Sequence, residues 1–516
     1  MTTTNRRAQI VPVQIILASL IILAWTALGH AASWTPLSSL APDYTGTMLL
    51  LTDGTVMVQG YSPANNWMQL TPDSSGSYIN GTWSRLASMS IPRLYYASHV
   101  LPTGRVWILG GEYSGFGLSQ NFTNTGEIYD AVTNTWAPIA NHPESQFGDV
   151  PSMLLSEHEI LAGSLFTNRT YLYDIAMNSW SFAAAKVYND RSDEEGWVKL
   201  PDGSVLTYDI FQSVITGGSY AERYDTATGE WSSISPSDGT ARGIIPQLSG
   251  TALGFELGPL VRVRLRDGRV FLIGATGHTA LYTASTNTWR AGPDIVGVLP
   301  SGPALFGADD APAAVMPNGH VLFAADAGPS AQTFQPPTQI FDFDPGTNTI
   351  SPVAPPIPAH LSIVSAYVTR MLMLPTGEVL FSDSSSQLWV YTPDGSPKPK
   401  ARPVINKIRY DGGGVFTLTG RRLNGQSAGS AYGDDVESDE NYPIVRFTDT
   451  AGTVFYGRTT NWSNTGVGTG SAHETVNFTL HPAMTPGTYA IEVIGAGTSS
   501  SPVDIEITSR QASLSR

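Results

Sequence analysis

Carboxylates recur at a corresponding position in five separate segments of the chain, each shortly before a run of apolar residues. Aspartate and glutamate supply oxygen atoms that accept hydrogen bonds from hydroxyl groups and that coordinate hard cations such as calcium. Tyrosine and arginine take the same position in two further segments, where they offer a flat ring and a planar cation. The acids are Asp43, Asp149, Asp193, Glu194, Glu195, Glu256, Asp309 and Asp310, and the other residues are Arg93, Tyr95, Tyr96, Tyr367 and Arg370.

The elements that must position these residues are short β-hairpins. Residues 197–208 form two apolar runs joined by Pro201-Asp202-Gly203. Asp-Gly between such runs is a strong hairpin signal, because glycine adopts the positive φ of a tight turn without steric cost. Similar segments recur every 45 to 65 residues, and this period is typical of one propeller blade per repeat. The seven turns are centred at residues 54, 104, 158, 203, 268, 319 and 377.

A second pattern follows most of the hairpins: an aromatic residue, a polar turn, and a bulky apolar residue seven positions after the first. This spacing predicts the two outer strands of a four-stranded blade, with both side chains packed against neighbouring blades. We therefore expect these tryptophans to be structural rather than ligand-binding. The pairs are Tyr129 and Trp136, Tyr173 and Trp180, Tyr224 and Trp231, Tyr282 and Trp289, and Phe343 and Ile350.

The last repeat lacks this fourth strand, and a matching segment occurs near the start of the chain. The sequence around Trp34 resembles that around Trp136, so we expect the N-terminal strand to complete the seventh blade beside Tyr391 and to remove an exposed sheet edge. The predicted fold is all-β. Its expected divisions are a signal peptide (1–31), a seven-bladed β-propeller (32–395), a linker (396–404), an immunoglobulin-like β-sandwich (405–508) and a frayed tail (509–516).

Composition narrows the cellular location and the partners. Arg6 and Arg7 precede a long apolar run that ends in small residues, which predicts a secretory signal cleaved after Ala31, with an uncleaved membrane anchor as the alternative. The chain contains no cysteine and therefore no disulfide. Its net charge of −15 argues against nucleic acid or an anionic membrane as a partner. We expect a secreted or periplasmic protein with no membrane span in the mature chain.

The hairpin followed by the aromatic and tryptophan pattern resembles the kelch repeat, and residues 416–423 resemble the opening of TIG, or E-set, sandwiches. A kelch propeller followed by such a sandwich is similar in architecture to galactose oxidase and its copper-radical relatives. That resemblance implies a copper-binding tyrosine and histidine, which correspond here to Tyr367 and Val368. It also implies a tyrosine fused to cysteine and a histidine from the sandwich, for which His473 is the nearest candidate. Because valine replaces one histidine and cysteine is absent, we expect neither the copper-radical cofactor nor the oxidase activity.

Other catalytic motifs give little support for an enzyme. The chain has no HExxH sequence. The GxSxG string at residues 425–429 is not followed by a helical pattern, so Ser427 is interpreted as a loop residue. The acidic segment at residues 432–443 lacks the spacing of an EF-hand and is interpreted as a solvated loop.

The innermost strands of a propeller all run in one direction, so the residues just before them should converge on one mouth of the central channel. Three long loops with aromatic residues, 111–125, 209–219 and 326–338, are expected on the same face. Aromatic rings with carboxylates are typical of sugar recognition, and the same oxygen atoms could bind calcium. The predicted ligand-binding residues are Arg93, Asp149, Asp193, Glu194, Glu195, Glu256, Asp309 and Asp310.

We therefore predict non-catalytic recognition of an extracellular glycan or protein through this mouth. One alternative is an enzyme of the galactose-oxidase-like class with altered chemistry. Another is a polysaccharide lyase in which Tyr95 or Tyr367 acts as the base and an arginine such as Arg370 neutralises the uronate. A third is an adhesion module in which the C-terminal sandwich makes the contact.

Overall fold

The computed structural model describes residues 31–250, 256–263, 268–328, 334–427 and 441–514. Seven antiparallel sheets form the blades of a propeller. Each blade has four strands, and the sixth carries an added hairpin, β22–β23. The predicted all-β, seven-bladed propeller is confirmed.

The strands of the first half are β1 (Ser33–Pro36), which belongs to blade 7, and those of blades 1 to 4: β2 (Thr45–Leu50), β3 (Val56–Gly60), β4 (Trp67–Thr71), β5 (Thr82–Leu86), β6 (Ala97–Val100), β7 (Val106–Leu109), β8 (Gly126–Asp130), β9 (Thr135–Pro138), β10 (Ser152–Leu154), β11 (Glu159–Ala162), β12 (Arg169–Asp174), β13 (Ser179–Ala185), β14 (Trp197–Lys199), β15 (Val205–Tyr208), β16 (Ala221–Asp225) and β17 (Glu230–Ser233). Blades 5 to 7 contain β18 (Leu260–Arg262), β19 (Arg269–Ile273), β20 (Thr279–Thr283), β21 (Thr288–Ala291), β22 (Val296–Leu299), β23 (Gly302–Gly307), β24 (Ala313–Val315), β25 (Val321–Ala327), β26 (Thr338–Asp344), β27 (Thr349–Val353), β28 (Arg370–Met373), β29 (Val379–Ser382) and β30 (Trp389–Thr392).

The predicted hairpins form around turns in which glycine has positive φ. Gly203, with φ of 86°, donates its N–H to the carbonyl of Leu200 and closes the turn between β14 and β15. The repeat near His158 has no such glycine but still forms the hairpin β10–β11. The other turn glycines, with φ between 67° and 93°, are Gly54, Gly104, Gly268, Gly319 and Gly377.

The two residues of each predicted pair lie directly opposite each other on the third and fourth strands of their blade. Tyr129 pairs with Trp136, for example, and their ring centroids are 5.1 Å apart. The indole N–H of Trp136 donates to the carbonyl of Ala87 in the preceding blade, at 2.9 Å. Trp180 makes the same bond to Ala140. These tryptophans therefore join neighbouring blades through both packing and hydrogen bonds, as their structural role requires.

The N-terminal strand closes the ring as predicted. β1 pairs with β30 so that Trp34 lies opposite Tyr391. The Trp34 indole donates to the carbonyl of Ala354 in blade 6, at 2.9 Å. The seventh blade therefore combines both ends of the propeller sequence, and its outer edge is covered.

The C-terminal strands form one continuous antiparallel sheet of eight strands. Residues 454–457 of one strand, β34, pair with β33, and residues 458–460 of that strand pair with β35. A strand that changes partner in this way forms a corner at which a sheet bends. The strands are β31 (Val404–Gly412), β32 (Val415–Arg421), β33 (Ile444–Asp449), β34 (Val454–Thr460), β35 (Glu474–Thr479), β36 (Gly487–Gly495), β37 (Thr498–Ser499) and β38 (Val503–Ile507).

Short α-helices complete the described secondary structure: α1 (Ile210–Thr216), α2 (Pro358–Leu361) and α3 (Ser509–Ser513). The structure differs from the expected frayed tail, because Thr508 and Gln511 form a capping box at the start of α3 and Ala512 is buried. None of the helices in the described ranges is long and apolar enough to cross a bilayer.

The C-terminal unit packs on the propeller face formed by the turns between first and second strands. Arg458 lies 2.8 Å from Asp53 in the turn of blade 1, and the Lys199 ammonium of blade 4 donates to Thr465 Oγ1 at 2.8 Å. One buried hydrophobic cluster also combines residues of blades 1, 2 and 7 with residues of the C-terminal unit. The beginnings of the innermost strands therefore lie on the opposite face.

Candidate functional site

A cavity of about 340 Å³ lies where the innermost strands begin. Six blades contribute to it, each through a residue just before its first strand: Tyr95, Asp149, Glu194, Glu256, Asp310 and Tyr367. The remaining lining residues come from nearby loop positions: Leu94, Glu112, Tyr113, Leu118 and Phe334. The structure therefore brings together, around one opening, residues separated by up to 273 positions, from Leu94 to Tyr367.

Three carboxylates meet on one side of this cavity. Glu194, Glu256 and Asp310 each offer an oxygen atom, and these atoms all lie within 4.8 Å of one another. Glu194 and Asp310 have φ of 61° and 45°, and Tyr95 has φ of 53°. This left-handed conformation costs about 1 kcal/mol or more for a residue with a Cβ, so the surrounding fold must stabilise it.

Burial changes the ionisation of these acids. The pKa of Glu256 is raised to about 9, first by burial and then by the negative charge of Asp309. Asp309 precedes the lining residue Asp310 and has only 2 % of its surface exposed. Burial raises its pKa to about 7 although the Phe334 N–H donates to it. Glu256 therefore retains its proton at neutral pH unless a positive charge compensates it.

Aromatic rings form the remaining walls. The rings of Tyr95 and Tyr113 meet edge to face at 5.7 Å, and those of Phe334 and Tyr367 are 4.7 Å apart. All four side chains are partly exposed. The cavity consequently presents flat apolar surfaces beside a group of oxygen atoms.

The two arginines expected at the mouth do not line the cavity. The Arg93 guanidinium is buried, 3.0 Å from Glu127, and also donates to the carbonyl of Gly110. Arg370 is likewise buried and donates to the backbone carbonyls of Tyr367 and Thr369. Both side chains turn into their blades because backbone and carboxylate acceptors are available there.

Glu195 points away from Glu194 and into a buried ionic cluster between blades 3 and 4. Its carboxylate pairs with the Lys186 ammonium, which also lies 2.8 Å from Asp209. Burial alone would lower the pKa of Lys186, but the surrounding carboxylates raise it well above its usual value. Asp190, Glu195 and Asp209 are close enough to share a metal ion, yet the lysine ammonium already contacts two of them. The predicted role of Glu195 at the mouth therefore does not match its position.

Asp193 is also outside the set of lining residues. It forms an ion pair with Arg191 at 3.0 Å, and burial raises its pKa to about 7 despite this partner. Asp43 accepts hydrogen bonds from the backbone of Tyr44 and Ser62. Both acids stabilise loop conformations at the start of their blades.

Loop residues that sequence reasoning did not single out complete the site. Glu112 and Tyr113 belong to the loop 111–125, and Phe334 to the loop 326–338, both of which were expected on this face. The third expected loop, 209–219, instead contains α1 and contributes no lining residue. The aromatic content of the loops was the available signal, but it could not indicate which rings face the cavity.

The cavity does not fit a copper-radical centre. Within the described ranges its lining offers carboxylate and phenol oxygens but no histidine, and the chain has no cysteine to fuse to a tyrosine. His473 is exposed on the C-terminal unit, which packs on the other face from Tyr367. Oxygen-only donor sets suit hard cations such as calcium rather than copper.

Two other sequence interpretations concern the C-terminal unit. Ser427 is buried and lies beyond β32, and the next described element after it is the strand β33. The acidic segment at residues 432–443 falls mostly outside the described residues, which resume at Asn441. Neither region adds a residue to the mouth.

Comparison with known proteins shows a kelch motif over residues 93–143. Kelch-like protein terF of Aspergillus terreus is 29% identical over 126 residues, which are 24% of this chain and 26% of that protein. F-box/kelch-repeat protein At5g03020 of Arabidopsis thaliana is 42% identical over 62 residues, 12% of this chain and 17% of that protein. This chain thus spans about a quarter or less of these relatives' length.

Among solved structures, this chain is similar to a fungal alcohol oxidase of the AA5 family in complex with copper. The identity is 16%, the match covers 90% of this chain and 85% of that chain, and the TM-score is 0.37. The kelch match coincides with blade 2, whose strands run from β6 to β9. The chain therefore contains a kelch motif within a seven-bladed β-propeller.

Proposed function

We propose that this protein is an extracytoplasmic, non-catalytic receptor that recognises a carbohydrate in the mouth of its propeller. The observation that supports this proposal is a cavity with aromatic walls and a carboxylate side. Sugar rings combine apolar C–H faces, which stack on aromatic rings, with hydroxyl groups, which donate hydrogen bonds to carboxylates. A volume of about 340 Å³ falls in the range of small-ligand pockets.

The charge of the cavity limits the class of sugar. Its lining contains Glu112, Asp149, Glu194, Glu256 and Asp310 and, among the described residues, no lysine or arginine. An acidic opening of this kind repels anions and attracts neutral or positively charged ligands. We therefore propose a neutral or amino sugar rather than a uronate or a sulfated glycan.

The same geometry gives the lyase alternative less support. A tyrosine base must lose its proton, whereas burial raises the pKa of Tyr367. The arginines that would neutralise a uronate, Arg93 and Arg370, bind acceptors inside their blades. A binding role uses the residues of the mouth without either requirement.

Secretion and the class of the C-terminal unit belong to the same proposal. The predicted signal at residues 1–31 lies almost entirely outside the described residues. We assign the C-terminal unit to the immunoglobulin-like class, and the partner change of β34 supports that assignment. Its position on the opposite face leaves the mouth available to a ligand.

A glycan array tests the proposal. Protein comprising residues 32–516 should bind neutral or amino sugars, and the double variant Tyr95→Ala/Tyr367→Ala should bind at least tenfold more weakly because stacking contributes about 1 kcal/mol per ring. Phe182→Ala is the matched control, because this ring is exposed on an outer strand of blade 3. An array without a binding sugar, or equal affinity of the double variant and wild type, would contradict the proposal.

A further inference from the structure

We propose that Lys186 is a positioning residue for the mouth: its buried ammonium holds the segment 187–195 in the conformation that brings Glu194 to the cavity wall. This segment connects β13, the last strand of blade 3, to β14, the first strand of blade 4. Glu194 is the one residue of the segment that lines the cavity. The inference rests on the proposed function for its effect on sugar binding, and on the fold alone for its effect on the segment.

Lys186 joins blade 3 to blade 4 at the start of this segment. Its backbone N–H donates to the carbonyl of Asn168 at 2.7 Å, and the Asn168 side-chain amide donates to the carbonyl of Lys186 at 3.1 Å. Asn168 precedes β12, so both bonds attach Lys186 to blade 3. The ammonium lies 2.8 Å from the carboxylate of Asp209, which follows β15 of blade 4, and both side chains are fully buried.

A carboxylate beside the ammonium binds the first residues of the segment. Glu222 of β16 accepts the backbone N–H of Val187 at 2.6 Å and that of Tyr188 at 2.9 Å. The charges of Lys186 and Glu222 attract each other, so the ammonium keeps this carboxylate in place. The start of the segment is consequently tied to blade 4 through Glu222.

Two acids of the segment itself hold its middle and its end. Asp190 is buried and accepts the backbone N–H of Gln212 in α1 at 2.9 Å, and the charge of Lys186 also acts on it. Glu195, the last residue, pairs with the ammonium directly. One lysine therefore interacts with carboxylates that hold the start, the middle and the end of the segment.

The backbone of Glu194 needs such support. Its φ of 61° lies in the left-handed region, which costs free energy for a residue with a Cβ and persists only where the surrounding structure enforces it. The Glu194 N–H donates to the carbonyl of Asp149, another lining residue, at 3.0 Å. Because the next residue, Glu195, is held by Lys186, the side chain of Glu194 faces the cavity.

The energetics of buried charges favour a positioning role over a purely stabilising one. Removal of several charged groups from water costs free energy that their mutual attraction offsets only in part. A buried ionic cluster therefore adds little net stability, while loss of one partner leaves the other charges uncompensated. The cluster around Lys186 is better explained by the conformation that it fixes than by the stability that it adds.

Hydrogen exchange of the backbone amides, measured by mass spectrometry on the protein used for the glycan array, tests the inference. In Lys186→Met the amides of residues 187–195 should exchange at least about tenfold faster than in wild type, because the carboxylates lose the cation that holds them. Sugars that wild type binds on the array should bind this variant at least about tenfold more weakly.

Lys199→Met is the matched control. This lysine is also buried and belongs to blade 4, but its ammonium donates to the Leu154 carbonyl and to Thr465 of the C-terminal unit. Exchange of residues 187–195 and sugar binding should stay at wild-type values in this variant. Circular dichroism confirms that each variant is folded. If Lys186→Met does not fold, Glu195→Gln, which removes one charge of the cluster, should show the same faster exchange and weaker sugar binding.

Three results would overturn the inference. They are wild-type exchange of residues 187–195 in Lys186→Met and Glu195→Gln, an equal increase of exchange in Lys199→Met, or faster exchange with wild-type sugar affinity. An array without a binding sugar would contradict the proposed function, and the exchange measurement would still decide whether Lys186 holds the segment.

Discussion

His142 is buried among three aromatic rings between blades 2 and 3. The ring centroids of Phe147, Tyr171 and Trp180 lie 4.8, 4.9 and 5.0 Å from the imidazole. Burial lowers the pKa of His142 to about 3, so the folded protein holds this side chain neutral. Its Nδ1 accepts a hydrogen bond from the backbone N–H of Glu144 at 3.3 Å. Glu256 and Asp309 show the opposite response, since burial raises the pKa of each carboxyl.

We predict that His142→Phe reduces the acid sensitivity of the fold. An unfolded histidine has a pKa of about 6.5, so between that value and about 3 the unfolded chain binds a proton that the folded chain does not. The free energy of unfolding therefore falls as the pH falls through this window. The loss attributable to His142 is roughly 2 kcal/mol at pH 5, and phenylalanine removes it while retaining the aromatic contacts.

Denaturant unfolding at pH 7 and pH 5 measures this difference. The decrease in unfolding free energy should be smaller in His142→Phe than in wild type. His158→Gln, at an exposed position in the β10–β11 turn, should retain the wild-type pH dependence. Equal acid sensitivity of His142→Phe and wild type would show that the imidazole is not the responsible group.

At the scale of elements, β1 closes the propeller ring although it has only four residues. It is the outer strand of blade 7, and β30 would become an exposed sheet edge without it. Trp34 also packs on Tyr391 and Phe381, with ring centroids 4.7 and 5.4 Å away. The strand thus holds the first and last parts of the propeller together.

Deletion of residues 32–38 should therefore lower the unfolding temperature and promote self-association. Exposed strand edges pair readily with other chains, and loss of the Trp34 packing removes apolar burial. Thermal unfolding and size-exclusion chromatography provide the measurements, with Ser33→Ala as the control because this side chain is exposed. A monomeric deletion variant with the wild-type unfolding temperature would mean that closure by β1 is not required.

At the scale of the whole molecule, the C-terminal unit determines which propeller face is accessible. Tyr442 donates a hydrogen bond from its hydroxyl to the carbonyl of Leu50, and the Tyr456 ring packs directly over Gly54 in the turn of blade 1. Arg262 of blade 5 donates to the carbonyl of Gln426 at 2.9 Å. The two units therefore share an interface around the channel, on the face opposite the mouth.

Two turn glycines allow the energy of this interface to be measured. Gly54 and Gly203 have similar φ, 77° and 86°, so alanine should strain either turn by about 1 kcal/mol. A Cβ on Gly54 would lie 2.6 Å from the Tyr456 ring, whereas the nearest atom to a Cβ on Gly203 is 3.7 Å away. We predict that Gly54→Ala destabilises the protein by about 1–3 kcal/mol more than Gly203→Ala, because it overpacks the interface.

Denaturant unfolding of both variants tests this expectation. Sugar binding at the mouth should persist in each folded variant, since neither glycine lines the cavity. Equal destabilisation by the two substitutions would show that the C-terminal unit can shift at this contact without a loss of unfolding free energy.

Local patterns in the sequence determined the repeat architecture and part of the site. The hairpin period predicted seven blades, and the match around Trp34 predicted how the ring closes. Because all first strands run in the same direction, their preceding residues could also be assigned to one mouth. Asp149, Glu194, Glu256 and Asp310 do line that cavity. These features depend on chain direction and short-range periodicity, which a single sequence contains.

Only the tertiary structure decided where each side chain points. Glu194 faces the cavity while the adjacent Glu195 binds Lys186, and Arg93 turns inward to Glu127. The sequence pattern also did not predict which loop residues line the cavity or which propeller face the C-terminal unit covers. The direction of each side chain depends on its backbone angles and on partners that are distant in the chain. The cost of burying a charged group and the gain from pairing it can be compared only in the folded molecule, where those partners are close.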